Sequence, residues 1–125
     1  MGREDYPHRE LTRTIIGAAF EVSNTLGCGF LEKVYENALA HEMRKQGLRV
    51  AQQHPAPVVY DGVVVGDFVA DMLVEEAMLV ELKAVKALEN VHLAQCLNYL
   101  KATGLGVCLL LNFGEPRLGI KRVVL

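Results

Sequence analysis

Residues 105–114, LGVCLLLNFG, contain an unbroken apolar run from Val107 to Leu111 with turn residues at either end. A strand with one wet face alternates polar and apolar side chains, whereas a run without alternation is buried on both faces. A sheet holding such a strand needs a layer on each side of it, and the rest of the chain must supply those layers.

The remaining segments carry the periodicities this requires. From Leu11 to Leu26 the apolar residues Ile15, Ala18, Ala19 and Val22 recur at three and four, the helical period, and the Gly27-Cys28-Gly29 run ends the helix. A second helix follows within 31–47, with Leu31, Val34, Ala38 and Leu39 as its predicted apolar stripe, basic residues in its last turn and Gly47 at its close. The texture then changes to β-branched runs. Residues 48–60 read as extended with prolines near an edge or bend, Asp61-Gly62 is a hairpin signal, and residues 63–75 resume the strand. An acidic turn at Glu75 and Glu76 leads to a third strand within 77–85, so these strands form an antiparallel meander. Residues 88–104 return to helical period with Leu93, Leu97 and Leu100 on one side, and residues 118–125 make a short last strand. The order ααβββαββ is an α/β sandwich around a mixed sheet flanked by helices, with an αβββαβ core and an extra N-terminal helix.

With 51% hydrophobic residues in 125, the chain holds enough apolar material for one core and little for a second, so residues 1–125 are read as a single domain. Residues 1–8, charged from the third position, are expected to be a flexible terminus. A formal charge of −2 provides no global basic field, so a nucleic-acid partner has to be held by a local cluster or through bound metal. Arg44, Lys45 and Arg49 are the basic cluster on offer, read as a solvated helix end rather than a phosphate track. Three cysteines, Cys28, Cys96 and Cys108, show no CxxC spacing, which predicts reduced thiols, no zinc knuckle and a cytoplasmic setting. No apolar stretch reaches the length of a membrane span, and the N-terminus lacks a signal-peptide core.

Chemistry concentrates in residues 71–104. Glu81 and Lys83, two apart on a strand, project from one face roughly 7 Å from each other, with Leu82 opposite. On an ordinary sheet surface such a pair is a solvated ion pair; its apolar neighbours in MLVELKAV argue against a wet face here. Asp71 returns beside Glu81 if the two strands pair through the acidic turn. On the following helix His92, Gln95 and Tyr99 stack on one face, away from the leucines, although singly His92 and Tyr99 are also ordinary packing residues. Two carboxylates beside a lysine suit metal-assisted phosphodiester hydrolysis. The carboxylates are hard oxygen ligands for Mg²⁺, and the lysine positions the nucleophile and contacts the scissile phosphate. Glu32 and Tyr35, one turn apart on the second helix after Gly29, are equally an acid suited to the helix dipole and a packed tyrosine.

Together these residues resemble the GxxExxY family, whose motif stands here as Gly29-x-x-Glu32-x-x-Tyr35, and through it the PD-(D/E)xK nuclease superfamily. The similarity runs through IIGAAFEV, GFLEKVYENALA, VVYDGVVVGDFVADMLVE, VELKAVKALENVHLAQCLNYLKATGL and LLLNFGEPRLGIKRVVL, nearly the whole chain. The resemblance implies a restriction-endonuclease-like fold, with Asp71 as first metal ligand and Glu81 with Lys83 as the (D/E)xK pair. It implies Glu32 as the helical acid completing a metal site of Glu32, Asp71 and Glu81, as in RecB-like and lambda-exonuclease-like members. Gln95 and Tyr99 match that branch's QxxxY motif. The implied cofactor is Mg²⁺ or Mn²⁺, and the implied partner is nucleic acid, DNA in particular, in repair-type or exonuclease chemistry. Cys28 stands where the family often has proline and Ser23 where histidine is frequent; neither touches the acidic core. A non-catalytic binding or scaffold module, and a phosphodiesterase for RNA or small molecules, stay open as alternatives. An exposed sheet edge in a domain this small also allows a homodimer.

Overall fold

The computed structural model describes residues 8–125, so all but the last residue of the terminus expected to be flexible lies outside the described residues. The elements are α1 (Arg9–Leu26), α2 (Glu32–Lys45), β1 (Val50–Tyr60), β2 (Val63–Val74), β3 (Met78–Lys83), α3 (Asn90–Thr103), β4 (Val107–Asn112) and β5 (Gly119–Val124). The strands form one sheet in sequential order. β3 and β4 pair in parallel with α3 between them in sequence, and the other neighbours are antiparallel, which makes the sheet mixed as expected.

β4 accounts for the layering. All its residues are buried, with Val107, Leu109 and Leu111 in the core beneath α1 and α2 and Cys108 and Leu110 in the core beneath α3. Strict alternation between two apolar environments turns a continuous hydrophobic run into a central strand. Each fully buried Leu, Ile or Met contributes about 1.5–3 kcal/mol by leaving water.

α1 buries the predicted Ile15, Ala18, Ala19 and Val22. α2 buries only part of its predicted stripe: Leu39 lies in the core and Ala38 packs against it. Tyr35, Glu36, Leu39, Ala40 and Met43 face inward, while Leu31 and Val34 are exposed. The rotation follows from tertiary partners: Tyr35 stacks on Phe113 with ring centroids 4.8 Å apart, and Glu36 is held by side chains of β1.

β1 and β2 pair along nearly their whole length, from Val50 opposite Val74 to Tyr60 opposite Val63, through a turn with Asp61 and Gly62 at positive φ. β3 pairs only with Met72, Leu73 and Val74 of β2. Among the described residues, 63–71 of β2 therefore pair with β1 alone, and the hairpin leaves the sheet as a two-stranded ribbon.

Candidate active site

The site forms where β2 and β3 part. The regular ladder ends at Met72 opposite Val80, and one step further along that register Asp71 and Glu81 face each other. The ladder's bonds are replaced there by side chains. The Asp71 backbone N–H donates to Glu81 Oε2 at 2.6 Å, and the Leu82 N–H donates to Asp71 Oδ2 at 2.8 Å. Backbone donors in a protein interior need acceptors, and each carboxylate spends one oxygen on the opposite strand. Among the described residues Asp71 Oδ1 and Glu81 Oε1 enter no hydrogen bond.

Glu81 is only 3% exposed. Burial first, then the neighbouring Asp71 charge, push its carboxyl up to about 9, against the opposing pull of the Asp71 N–H and Lys83. Asp71, half-buried, is also raised, chiefly by burial and against the Leu82 hydrogen bond. The pair thus holds a proton at neutral pH. Lys83 makes no ion pair among the described residues, but its charge reaches Glu32, Asp71 and Glu81. Its backbone carbonyl is fixed by the Phe113 N–H at 2.8 Å.

Glu32 opens α2 and much of its side chain faces solvent. Packing around its carboxyl, followed by the Asp71 charge, raises it. No group of three His, Cys, Asp or Glu among the described residues closes around a metal-sized point: Asp71 and Glu81 come together, and Glu32 lies near enough for the Asp71 charge to reach it. The loop before Glu32 is tied by Tyr35, whose hydroxyl donates to Gly27 O at 2.6 Å and accepts from the Phe30 N–H at 3.2 Å. Gly29 within that loop has φ 118°, a conformation side chains rarely adopt.

α3 brings Gln95 and Tyr99 to the same place. Gln95 Nε2 donates to the Tyr99 hydroxyl at 3.1 Å, and burial, then the Glu81 charge, raise the Tyr99 phenol. Tyr99 does not stand apart from the leucines, as its spacing suggested, but joins their core with Leu100 at 8% exposure. His92 is committed elsewhere: its Nδ1 accepts the Glu89 N–H at 3.0 Å and caps the helix. Arg44 is likewise taken up by Val50 O and Gln52, Lys45 by Glu42, and Arg49 by Glu75 and Glu76, in keeping with a solvated helix end.

Sequence reasoning passed over three residues that hold this arrangement. Glu36, 4% exposed, accepts from Lys33 at 3.2 Å, Gln52 at 2.6 Å and Gln53 at 2.8 Å. Gln53 has φ 55° and lies across from Asp71, between the pairs Gln52–Met72 and His54–Ala70. At that point the alternation of β2 fails, since Ala70 packs beneath α3 and Met72 beneath α1 and α2. Asn112 pairs with both backbone groups of Val85, at 3.0 and 2.9 Å, so that the chain after Lys83 is fixed to the end of β4. Gly114 permits that approach, because a Cβ there would collide with the Val85 and Ala84 backbone. The available signals were a glutamate on an inward helix face, a polar Gln-Gln pair in a strand, and an Asn-Phe-Gly turn.

The donor set suits a hard divalent cation. Two carboxylates, each with an oxygen outside the hydrogen-bond network, are what Mg²⁺ takes from a protein before filling its remaining positions with water and substrate phosphate. Comparison of the sequence with curated proteins and with solved structures returns no match. The family described as the PD-(D/E)XK nuclease superfamily matches residues 9–123.

Proposed function

The chain belongs to the PD-(D/E)XK nuclease superfamily, and from that premise we propose that it is a divalent-metal-dependent nuclease of the GxxExxY kind, hydrolysing phosphodiester bonds of DNA as a repair-type or exonucleolytic enzyme. The observation that carries this reading is the pairing of half-buried Asp71 with buried Glu81 between parting strands, with Lys83 two residues along. Superfamily members generally use divalent ions, and in this chain Asp71 and Glu81 would hold Mg²⁺ or Mn²⁺ while Glu32 adds negative charge from α2. When bound, the ion lowers the pKa of a water and offsets charge on the phosphate. The Lys83 ammonium, free of ion pairs among the described residues, contacts the scissile phosphate and orients the nucleophile. The Tyr99 hydroxyl accepts from Gln95 and so keeps its own proton to donate to a substrate oxygen. Free thiols at Cys28, Cys96 and Cys108 support a reducing, cytoplasmic setting, and the exposed ribbon tip at Tyr60, Val63 and Val64 supports a homodimer.

The test is incubation of the purified protein with single- and double-stranded DNA in Mg²⁺, Mn²⁺ or chelator. Cleavage is expected with metal alone, and Lys83→Ala should reduce it at least a hundredfold without lowering the melting temperature. Equal cleavage by Lys83→Ala and wild type defeats the proposal. A non-catalytic binding module is the second reading, favoured by the position of Glu32 outside the carboxylate pair; it predicts no metal-dependent cleavage of DNA, RNA or small phosphodiesters.

A further inference from the structure

We propose that the groove between the β1/β2 ribbon and α3 seats the bases of a single-stranded polynucleotide, with Phe68 as the ring on which a base stacks. This rests on the nuclease reading and adds to it which form of nucleic acid is gripped, and by what.

Phe68 lies on the part of β2 that pairs with β1 alone, and it is 47% exposed. It lines two neighbouring cavities. One, of about 360 Å³, is bounded by Pro57, Val58, Asn98 and Lys101; the other, of about 270 Å³, by His92, Gln95, Asn98 and Tyr99. Asn98 also lines both, so the two are parts of one groove. The Phe68 ring is set by a perpendicular contact with Tyr99, at 5.8 Å between centroids and 71° between planes.

The occupant follows from the chemistry of the walls. An exposed aromatic ring among apolar side chains offers a stacking surface that any base can use. The amides of Gln95 and Asn98 carry both donors and acceptors for base edges. Lys101 supplies a cation at the ribbon end, and among the described residues no carboxylate lines either cavity, which fits the sugar-phosphate chain of a polyanion. Tyr99 links the groove to the chemistry, because its phenol lies close enough to Glu81 and Asp71 to feel their charge. A base within a duplex has both faces occupied by its neighbours, so only an unstacked strand can give one up to Phe68.

The experiment measures binding in chelator, where no hydrolysis occurs, by fluorescence anisotropy. An oligothymidine of about 12 nucleotides, within the span such grooves cover, is compared with an abasic strand of equal length and charge. Wild type is expected to prefer the thymine strand about tenfold. Phe68→Leu, which keeps an apolar side chain without a π face, should erase the preference, and Phe68→Tyr should retain it. Lys101→Gln should weaken both strands alike and flatten the salt dependence by about 0.7. Equal affinity for the two strands, no binding to either, or a preference unchanged in Phe68→Leu overturns the proposal. So does a dimer whose dissociation responds to Phe68→Leu without any base preference, which would assign the groove to a second copy. Cleavage in Mg²⁺ is followed in parallel. Retained cleavage without base preference sinks the groove alone, and base preference without cleavage sinks the nuclease reading alone.

Discussion

Replacing Glu81 by glutamine should stabilise the protein at alkaline pH. In the folded chain Glu81 holds its proton up to about pH 9, against an ordinary value of 4.5. Between those two values the folded state binds the proton and the unfolded state does not. Stability therefore falls as pH rises: the contribution is fully present below about 4.5 and lost as pH passes through about 9. A displacement of that size corresponds to about 6 kcal/mol over the whole window, with a steepest slope of about 1.4 kcal/mol per pH unit. Asp71 and Glu32, raised by the same burial, act in the same direction. Set against total stabilities of about 5–15 kcal/mol, the effect is readily measured by urea unfolding in chelator from pH 5 to 9. Wild type should lose several kcal/mol across that range. Glu81→Gln, whose amide oxygen can still accept the Asp71 N–H, should show a much flatter profile and cross above wild type near neutrality. Adding Mg²⁺ at pH 8 should restore the wild type and leave the variant unchanged. Parallel pH profiles for the two proteins would refute the reasoning, since they would mean that the Glu81 proton is not linked to folding.

Two further substitutions probe the supports of the site. Glu36→Ala leaves Lys33, Gln52 and Gln53 without their shared acceptor, which should cost about 1–3 kcal/mol and weaken Mn²⁺ binding by releasing Gln53 opposite Asp71; thermal melts and a Mn²⁺ titration check the two effects. Tyr35→Phe removes the hydroxyl that ties Gly27 to Phe30, for a loss of about 1 kcal/mol or about 4 °C in Tm, with a fall in kcat through the Glu32 loop.

What could be read from the sequence is what neighbouring residues decide. The apolar run of β4, the Asp61-Gly62 turn and the glycine stops after α1 and α3 each act within a few residues, and each stands where expected. Glu81 beside Lys83 was legible for the same reason, because a charged pair in an apolar strand conflicts with its own surroundings. The α2 stripe was right at Ala38 and Leu39 and wrong at Leu31 and Val34, because the helix's rotation is set by Phe113 and β1, far along the chain from Tyr35 and Glu36. His92 has the spacing of a site residue, but a cap depends on which nitrogen meets the Glu89 N–H, and spacing carries no such information. The left-handed Gln53 was invisible for a related reason. Nothing local favours φ 55° at a glutamine; the buried Glu36 carboxylate holds its side chain from another element.

The parting of β2 and β3 links these features. Where the ladder stops, two backbone N–H groups need acceptors, and Asp71 and Glu81 provide them. An amide oxygen could do the same work without burying a charge, and asparagine or glutamine at these positions would remove the pH-dependent loss of stability that the pair causes. Carboxylates are the less stable solution near neutral pH, because one must keep a proton to remain buried beside the other. That cost has a use if a divalent cation takes the proton's place: Asp71 and Glu81 would hold it, and its charge would neutralise the pair while their backbone hydrogen bonds persist. A module that needed these side chains only to close the sheet would gain nothing from their charge, and on that ground the metal-dependent reading outweighs the scaffold reading.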